Sequence, residues 1–201
     1  MVANAAALTK NTPIAVMDFG TRPGATTAEI NINNAEYTSS EYIITQLLKR
    51  SLFAVVDKDM VMHKLKERNL KTTGIIDQDT AKEIGNILGV RHIVYGNVAG
   101  VTTSDSGVVT PVAGVSVCTV KAHIVARIMD VDTGDILMVT RGEGESKSSY
   151  TGLALPNLPA TVTIGTKTVT MASVHNAIQK AAFDTVDKTY FKVTGKKLEK
   201  E

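Results

Sequence analysis

Three aspartates crowd one glycine in the stretch Met129-Asp130-Val131-Asp132-Thr133-Gly134-Asp135-Ile136-Leu137. Carboxylates so close in sequence are what a calcium loop uses. An EF-hand loop needs oxygen ligands at about positions 1, 3 and 5, glycine at 6 and a bidentate acid at 12. Counted from Asp130, glycine arrives one place early, and the place of the essential acid is taken by Arg141, a cation. The flanks read as strands rather than helices. The stretch is therefore expected to be a turn, Asp132-Thr133-Gly134-Asp135, joining two apolar runs. An aspartate at its start bonds nearby backbone, and the glycine supplies positive φ.

Other residues able to do chemistry are scattered. The one cysteine, Cys118, excludes an internal disulfide and a thiolate zinc cluster. Within a strand it reads as a small buried apolar residue. The four histidines, His63, His92, His123 and His175, fall in four separate elements. None is read as having a second histidine or a carboxylate at metal-ligand spacing, so each is expected on a surface or a strand face. Gly114-Val115-Ser116-Val117-Cys118 lacks the last glycine of a G-x-S-x-G nucleophile elbow. Gly165-Thr166-Lys167-Thr168 resembles only the tail of a phosphate-binding loop, and no G-x-G-x-x-G follows the first strand. Asp18 ends the first strand, where α/β proteins often bind ligands, and is the one candidate left. The expected list of catalytic, cofactor-binding and metal-ligating residues is empty, no cofactor is expected, and the chain reads as a non-enzyme.

Composition narrows the partners. With 22 basic and 20 acidic residues the net charge is +2, which gives no bulk attraction to nucleic acid. Aromatics are 4% and tryptophan is absent, so stacking platforms for single strands are missing too. The 43% hydrophobic content suits a folded core. No uninterrupted apolar run is long enough for a membrane-spanning helix.

The elements that must position these residues follow from periodicity. Thr12 to Phe19 reads as a buried strand. Thr38-Ser39-Ser40-Glu41 has the capping-box pattern, and Tyr42, Ile43, Leu47 and Leu48 form the stripe of the helix behind it. Phe53 to Val56 is a second strand. Asp57 can cap a helix over 58–69 with Met60 and Leu65 inward, and Asp77 or Asp79 caps a third helix that Gly89 ends. His92 to Tyr95 is a third strand ended by Gly96. From Val115 to Met129 a long strand puts Val120, Ala122, Ile124, Ala126 and Ile128 on one face, and Lys121, His123 and Arg127 on the other. Ile136 to about Arg141 returns beside it. A last helix over about 169–193 carries Met171, Val174, Ile178, Ala181, Ala182, Val186 and Tyr190 inward.

These elements predict a single α/β domain, a mixed β-sheet with helices packed on it and a long antiparallel hairpin near the C-terminal half. Residues 1–11 read as an N-terminal remnant after a signal peptide, because Ala3-Asn4-Ala5 fits a cleavage region. The domain is expected over 12–194, with flexible Gly/Ser/Thr-rich excursions at about 97–114 and 142–168, and 195–201 as a charged tail.

Four pieces of the chain, in order, resemble the CsgG family of curli production assembly/transport components. They are Ile14-Ala15-Val16-Met17-Asp18-Phe19, Phe53-Ala54-Val55-Val56-Asp57-Lys58, Leu88-Gly89-Val90-Arg91-His92-Ile93-Val94-Tyr95-Gly96 and Asp130-Val131-Asp132-Thr133-Gly134-Asp135-Ile136-Leu137. The resemblance implies an exported bacterial envelope protein with an α/β domain in the periplasm, acting as a homo-oligomer or with other envelope proteins. In the curli member two hairpins of each subunit build an outer-membrane barrel. Here they would map to residues 97–120 and 141–170, and an outer-membrane association would run through them. A barrel wants aromatic girdles at both interfaces. The first excursion has no aromatic residue, the second only Tyr150, and Arg141, Glu143, Glu145, Lys147, Pro156, Pro159 and Lys167 intrude in the second. The sequence therefore favours a periplasmic protein that self-associates or scaffolds an assembly. The alternative is a subunit of an oligomeric outer-membrane β-barrel secretion channel.

Overall fold

A computed structural model describes residues 12–25, 35–51, 53–70, 76–109, 113–153 and 171–196. Short strands β1 (Pro13–Val16), β2 (Gly20–Thr21) and β3 (Ala54–Val55) precede three long ones. The long strands β4 (His92–Val109), β5 (Ala113–Asp130) and β6 (Ile136–Leu153) have 18 residues each. Helices α1 (Ala35–Lys49), α2 (Lys58–Glu67), α3 (Gln78–Leu88) and α4 (Met171–Thr194) complete the described elements. The sheet runs β3-β1-β4-β5-β6, with β2 paired to β4 off that path. β1 is parallel to β3 and β4, and β2 to β4, whereas β4, β5 and β6 are antiparallel. This is the expected α/β domain with a mixed sheet.

Alternation along the strands divides the core between two faces. Ile14, Val16 and Val94 join Ile43 and Leu47 of α1 and Val174, Ile178 and Ala182 of α4. Ala15, Met17 and Ile93 join Val61 and Leu65 of α2 and Ala81 and Ile84 of α3. The expected inner face of β5, from Val120 to Ile128, is buried against the first group.

Local signals set several ends as expected. Asp57 caps α2 by accepting from the Met60 amide at 3.0 Å. Asp77, rather than Asp79, caps α3 from the Thr80 amide at 2.8 Å, and Gly89 closes it in the left-handed conformation. The turn after β5 is also present, but its organiser is Asp130, not Asp132. The Asp130 carboxylate accepts from the amides of Asp132 and Thr133 at 3.0 and 3.2 Å, and Gly134 takes φ +80°.

Tertiary contacts moved other elements. The capping-box residues Thr38 to Glu41 lie inside α1, which is already helical at Ala35. Leu48, Met60 and Met171, expected inward, are exposed, and Val61 takes the inward place in α2. β4 does not stop at Gly96. It pairs with β5 up to Val109↔Gly114, and β6 pairs with β5 from Ile136 to Leu153. Residues 97–109 and 142–153 are thus strand. Their Gly/Ser/Thr/Val composition reads as loop, yet β-branched residues alternating with small ones also suit a pleated ribbon. Residues 1–11, Gly165 to Thr168 and the proline-bearing stretch 154–170 lie outside the described residues.

α4 lies directly on β6. A Cβ at Gly142 would meet the Ala181 carbonyl oxygen at 2.0 Å, and one at Gly144 would meet the Ala177 carbonyl oxygen at 2.0 Å. Only hydrogen fits there, and Ala177 and Ala181 are the small residues facing it. Gly144→Ala is expected to force the helix off the strand and to cost about 3 kcal/mol, the upper end for overpacking. Urea unfolding with an unchanged m-value would measure it, and a cost below about 0.5 kcal/mol would contradict the close approach.

Candidate functional site

Asp18, the one candidate from the sequence, sits in a buried polar cluster just past β1. Its carboxylate accepts from the Ser40 hydroxyl at 2.7 Å and pairs with the Lys58 ammonium at 2.7 Å. Lys58 also donates to the Ser40 hydroxyl oxygen at 2.8 Å and pairs with Glu41 at 3.0 Å. Asp18 and Ser40 are buried, Lys58 nearly so, and Glu41 closes the rim. The four come from three places: Asp18 from just past β1, Ser40 and Glu41 from the middle of α1, and Lys58 from the first turn of α2.

The donors decide what this cluster can do. A lysine ammonium has three protons, and here three oxygens receive them. Lys58 spends those donors on the Ser40 hydroxyl oxygen and on the Asp18 and Glu41 carboxylates. The Ser40 proton points at Asp18, so the hydroxyl is an intermediary between two ions rather than a nucleophile beside a base. The arrangement ties three elements together. Sequence reasoning missed Ser40 and Lys58 as partners of Asp18, and Glu41 as a second carboxylate on Lys58. Thr38-Ser39-Ser40-Glu41 reads as a capping box, and nothing local announces that Lys58 folds back over β1.

The histidines remain apart. His63 and Glu67 are one helical turn apart, a carboxylate spacing the sequence reading passed over. They form an exposed pair at 3.6 Å. His123 faces Glu143 across β5 and β6 at 3.8 Å. Among the described residues no group of three His, Cys, Asp or Glu side chains could hold a metal ion. Cys118 is buried, as a small apolar residue would be.

His92 differs from the rest. It opens β4 between Ile14 of β1 and Asp130 of β5, is fully buried, and neither ring nitrogen has a hydrogen-bond partner among the described residues. The Asp130 carboxylate is 3.8 Å from Nε2 and equally far from Arg91 Nε. Burial holds the imidazole below its ordinary range; Asp130 and Asp132 oppose that and Arg91 adds to it. The neutral ring is the folded form.

The largest exposed feature is the β4–β5–β6 ribbon. At about 3.3 Å per residue its strands reach some 60 Å, against about 36 Å for α4. Ser104 to Gly107 near its tip are exposed. Along β6 the faces are sharply different. Gly142, Gly144 and Ser146 are buried on the α4 side, while Arg141, Glu143 and Lys147 are exposed on the other. Lys147 at 2.9 Å, and with it Lys121 at 3.6 Å, lowers the carboxyl pKa of Glu145 there.

The family model of the curli production assembly/transport component CsgG matches residues 1–195. Curated protein sequences give no match. Among solved structures the chain is similar to the hypothetical protein CT253 from Chlamydia trachomatis, with TM-score 0.51 and 11% identity over 92% of this chain and 99% of that one. It is also similar to the C-terminal domain of LpoB from Salmonella enterica, with TM-score 0.47 and 17% identity over 67% and 83%. The PelC dodecamer from Paraburkholderia phytofirmans gives TM-score 0.40 and 12% identity over 93% and 90%. The likeness to CT253 shows a shared fold.

Two outcomes test the buried polar groups. Lys58→Ala leaves Asp18 buried without its cation and is expected to cost about 3–5 kcal/mol, whereas the Asp18→Leu/Ser40→Ala/Lys58→Met triple variant recovers most of that loss. Equal destabilisation of both would deny the pair its role. His92 gives a pH dependence. The unfolded chain takes up a proton below about pH 6.5 that the folded chain resists, so stability is present above that pH and is lost as pH falls below it, by up to about 1.4 kcal/mol per unit. Denaturation midpoints between pH 7.5 and 5.5 should fall for the wild type and flatten for His92→Leu; parallel curves would remove His92 as the cause.

Proposed function

The chain belongs to the curli production assembly/transport component CsgG family, and from that premise we propose that it is a non-enzymatic bacterial cell-envelope protein that self-associates or scaffolds an envelope assembly. Membership fits an envelope-associated role without catalysis. The reading places the domain in the periplasm after export, with further copies of itself or other envelope proteins as partners. One observation carries it: three 18-residue strands in antiparallel order, with one register shift in each pairing, form a ribbon longer than the helix α4 that packs on it. Where the ribbon runs past its last described bond to α4, a strand edge is a surface for strand pairing with another chain. Among the described residues no helix is long and apolar enough to cross a membrane.

The channel reading rests on ribbon length. A barrel strand needs about 9–11 residues to cross a bilayer, and β4 and β5 each exceed that. The described part of β6 weighs the other way, since a lipid-facing strand needs one apolar face. Here one face carries Arg141, Glu143 and Lys147, and the other lies under α4.

Light scattering separates the two. A discrete homo-oligomer in detergent-free buffer is expected. A ring that forms only in detergent, and that loses membrane insertion when residues 99–114 are deleted, would replace this reading with the channel. A strict monomer in both, with no envelope partner retained, would reject both.

A further inference from the structure

β6 ends the described sheet, so its outer side should present bare backbone groups. Over its first half it does not. Lys180 Nζ donates to the Glu145 carbonyl at 2.8 Å, and the Glu143 amide donates to Asp184 Oδ2 at 2.9 Å. Lys188 Nζ donates to the Arg141 carbonyl at 2.9 Å, and Lys192 Nζ to the Val139 carbonyl at 2.8 Å. Lys188 also bonds Asp184 Oδ2 at 2.6 Å, joining adjacent rungs.

The regularity has a geometric origin. Four residues of helix rise about 6.0 Å, and two residues of strand about 6.7 Å. α4 runs opposite to β6, so side chains at 180, 184, 188 and 192 meet backbone groups at 145, 143, 141 and 139 in turn. Long lysine stems absorb the small mismatch. The chemistry is matched as well, with ammonium groups on carbonyls and a carboxylate on the amide. These side chains occupy the sites that a neighbouring strand would use.

We propose that α4 guards the sheet edge: its Lys180, Asp184, Lys188, Lys192 ladder stands in for a seventh strand and blocks edge-to-edge pairing of β6 with the β6 of a second copy. The occupant excluded is another copy because two such edges are self-complementary about a two-fold axis, each offering the same alternating donors and acceptors. The inference does not rest on the envelope reading. It says which edge is closed, whatever the wild-type oligomer is.

The ladder bonds are exposed, so removing them costs little stability and the fold survives. The quadruple variant Lys180→Ala/Asp184→Ala/Lys188→Ala/Lys192→Ala is compared with Lys49→Ala/Asp59→Ala/Lys64→Ala/Lys66→Ala, which makes the same change in net charge away from β6. Sedimentation across concentration should show the ladder variant gaining an association step at least tenfold tighter than any in the wild type or the control. Equal association of the ladder variant and wild type overturns the proposal, as does equal association of both variants. Hydrogen exchange on the wild type tests it without any substitution. The Glu143 amide should be protected at least tenfold although it lies on an edge strand, and exchange at the rate of an unprotected amide would overturn the guard.

Discussion

Everything in the C-terminal half depends on how closely α4 can approach β6. Two glycines one pleat apart remove the side chains that would hold the helix away, and Ala177, Ala181 and Thr185 present small groups to them. With the backbones this close, Val174, Ile178 and Val186 reach the inner face of β5 and close one of the two cores. The same approach brings the lysine and aspartate side chains of α4 within reach of the strand edge. It also pairs Thr140 with Thr189 at 3.2 Å and Ser148 with Ser173 at 2.8 Å, so the hydroxyls at both ends of the groove are satisfied. Packing, edge protection and polar satisfaction are three consequences of one steric fact.

The polar interior follows a second logic. Asp18, Ser40 and Lys58 are drawn from three elements and satisfy one another, so the cluster costs desolvation and returns alignment of α1 and α2 against β1. His92 has no such partners and is tolerated because it can be neutral. The first arrangement resists loss of any member, the second resists only protonation. The contrast between them is set by charge, since a buried carboxylate must be paired and a buried imidazole need not be.

Much of the fold was legible where the signal was local. Asp57, Asp77 and Gly89 set helix ends through their own backbone bonds, and the alternation of Val120 to Ile128 identified a half-buried strand. Asp130 to Asp135 was legible as a turn because the glycine and acid spacing fits no calcium loop. The misreadings came where a distant partner decided. Ser40 looks like a cap until Asp18 is placed beside it. Gly142 and Gly144 look like loop glycines until a helix is laid upon them. The sequence reading of the last helix named only its inward residues, and the position of β6 is what sets Lys180, Asp184, Lys188 and Lys192 along a strand edge. The site was legible as one residue, Asp18, and its chemistry was not, because that chemistry lies in three contacts across the fold.

The ribbon combines these arguments. An isolated hairpin is marginal in water, and a third strand or a packed helix is what makes it persist. Near its base the ribbon has both, with α4 on one face and its side chains along the edge. The last described α4 bond to β6 is at Ser148, whereas strand pairing continues to Leu153 and, in β4, to Val109. Among the described residues the bonds from α4 to β6 are thus concentrated at the base. A fold that closes an edge with four side chains over one half of a strand makes the other half the place where another chain has the least to displace. Self-association is therefore best sought at the ribbon's outer half, with the base kept out of it by the same helix that holds the domain together.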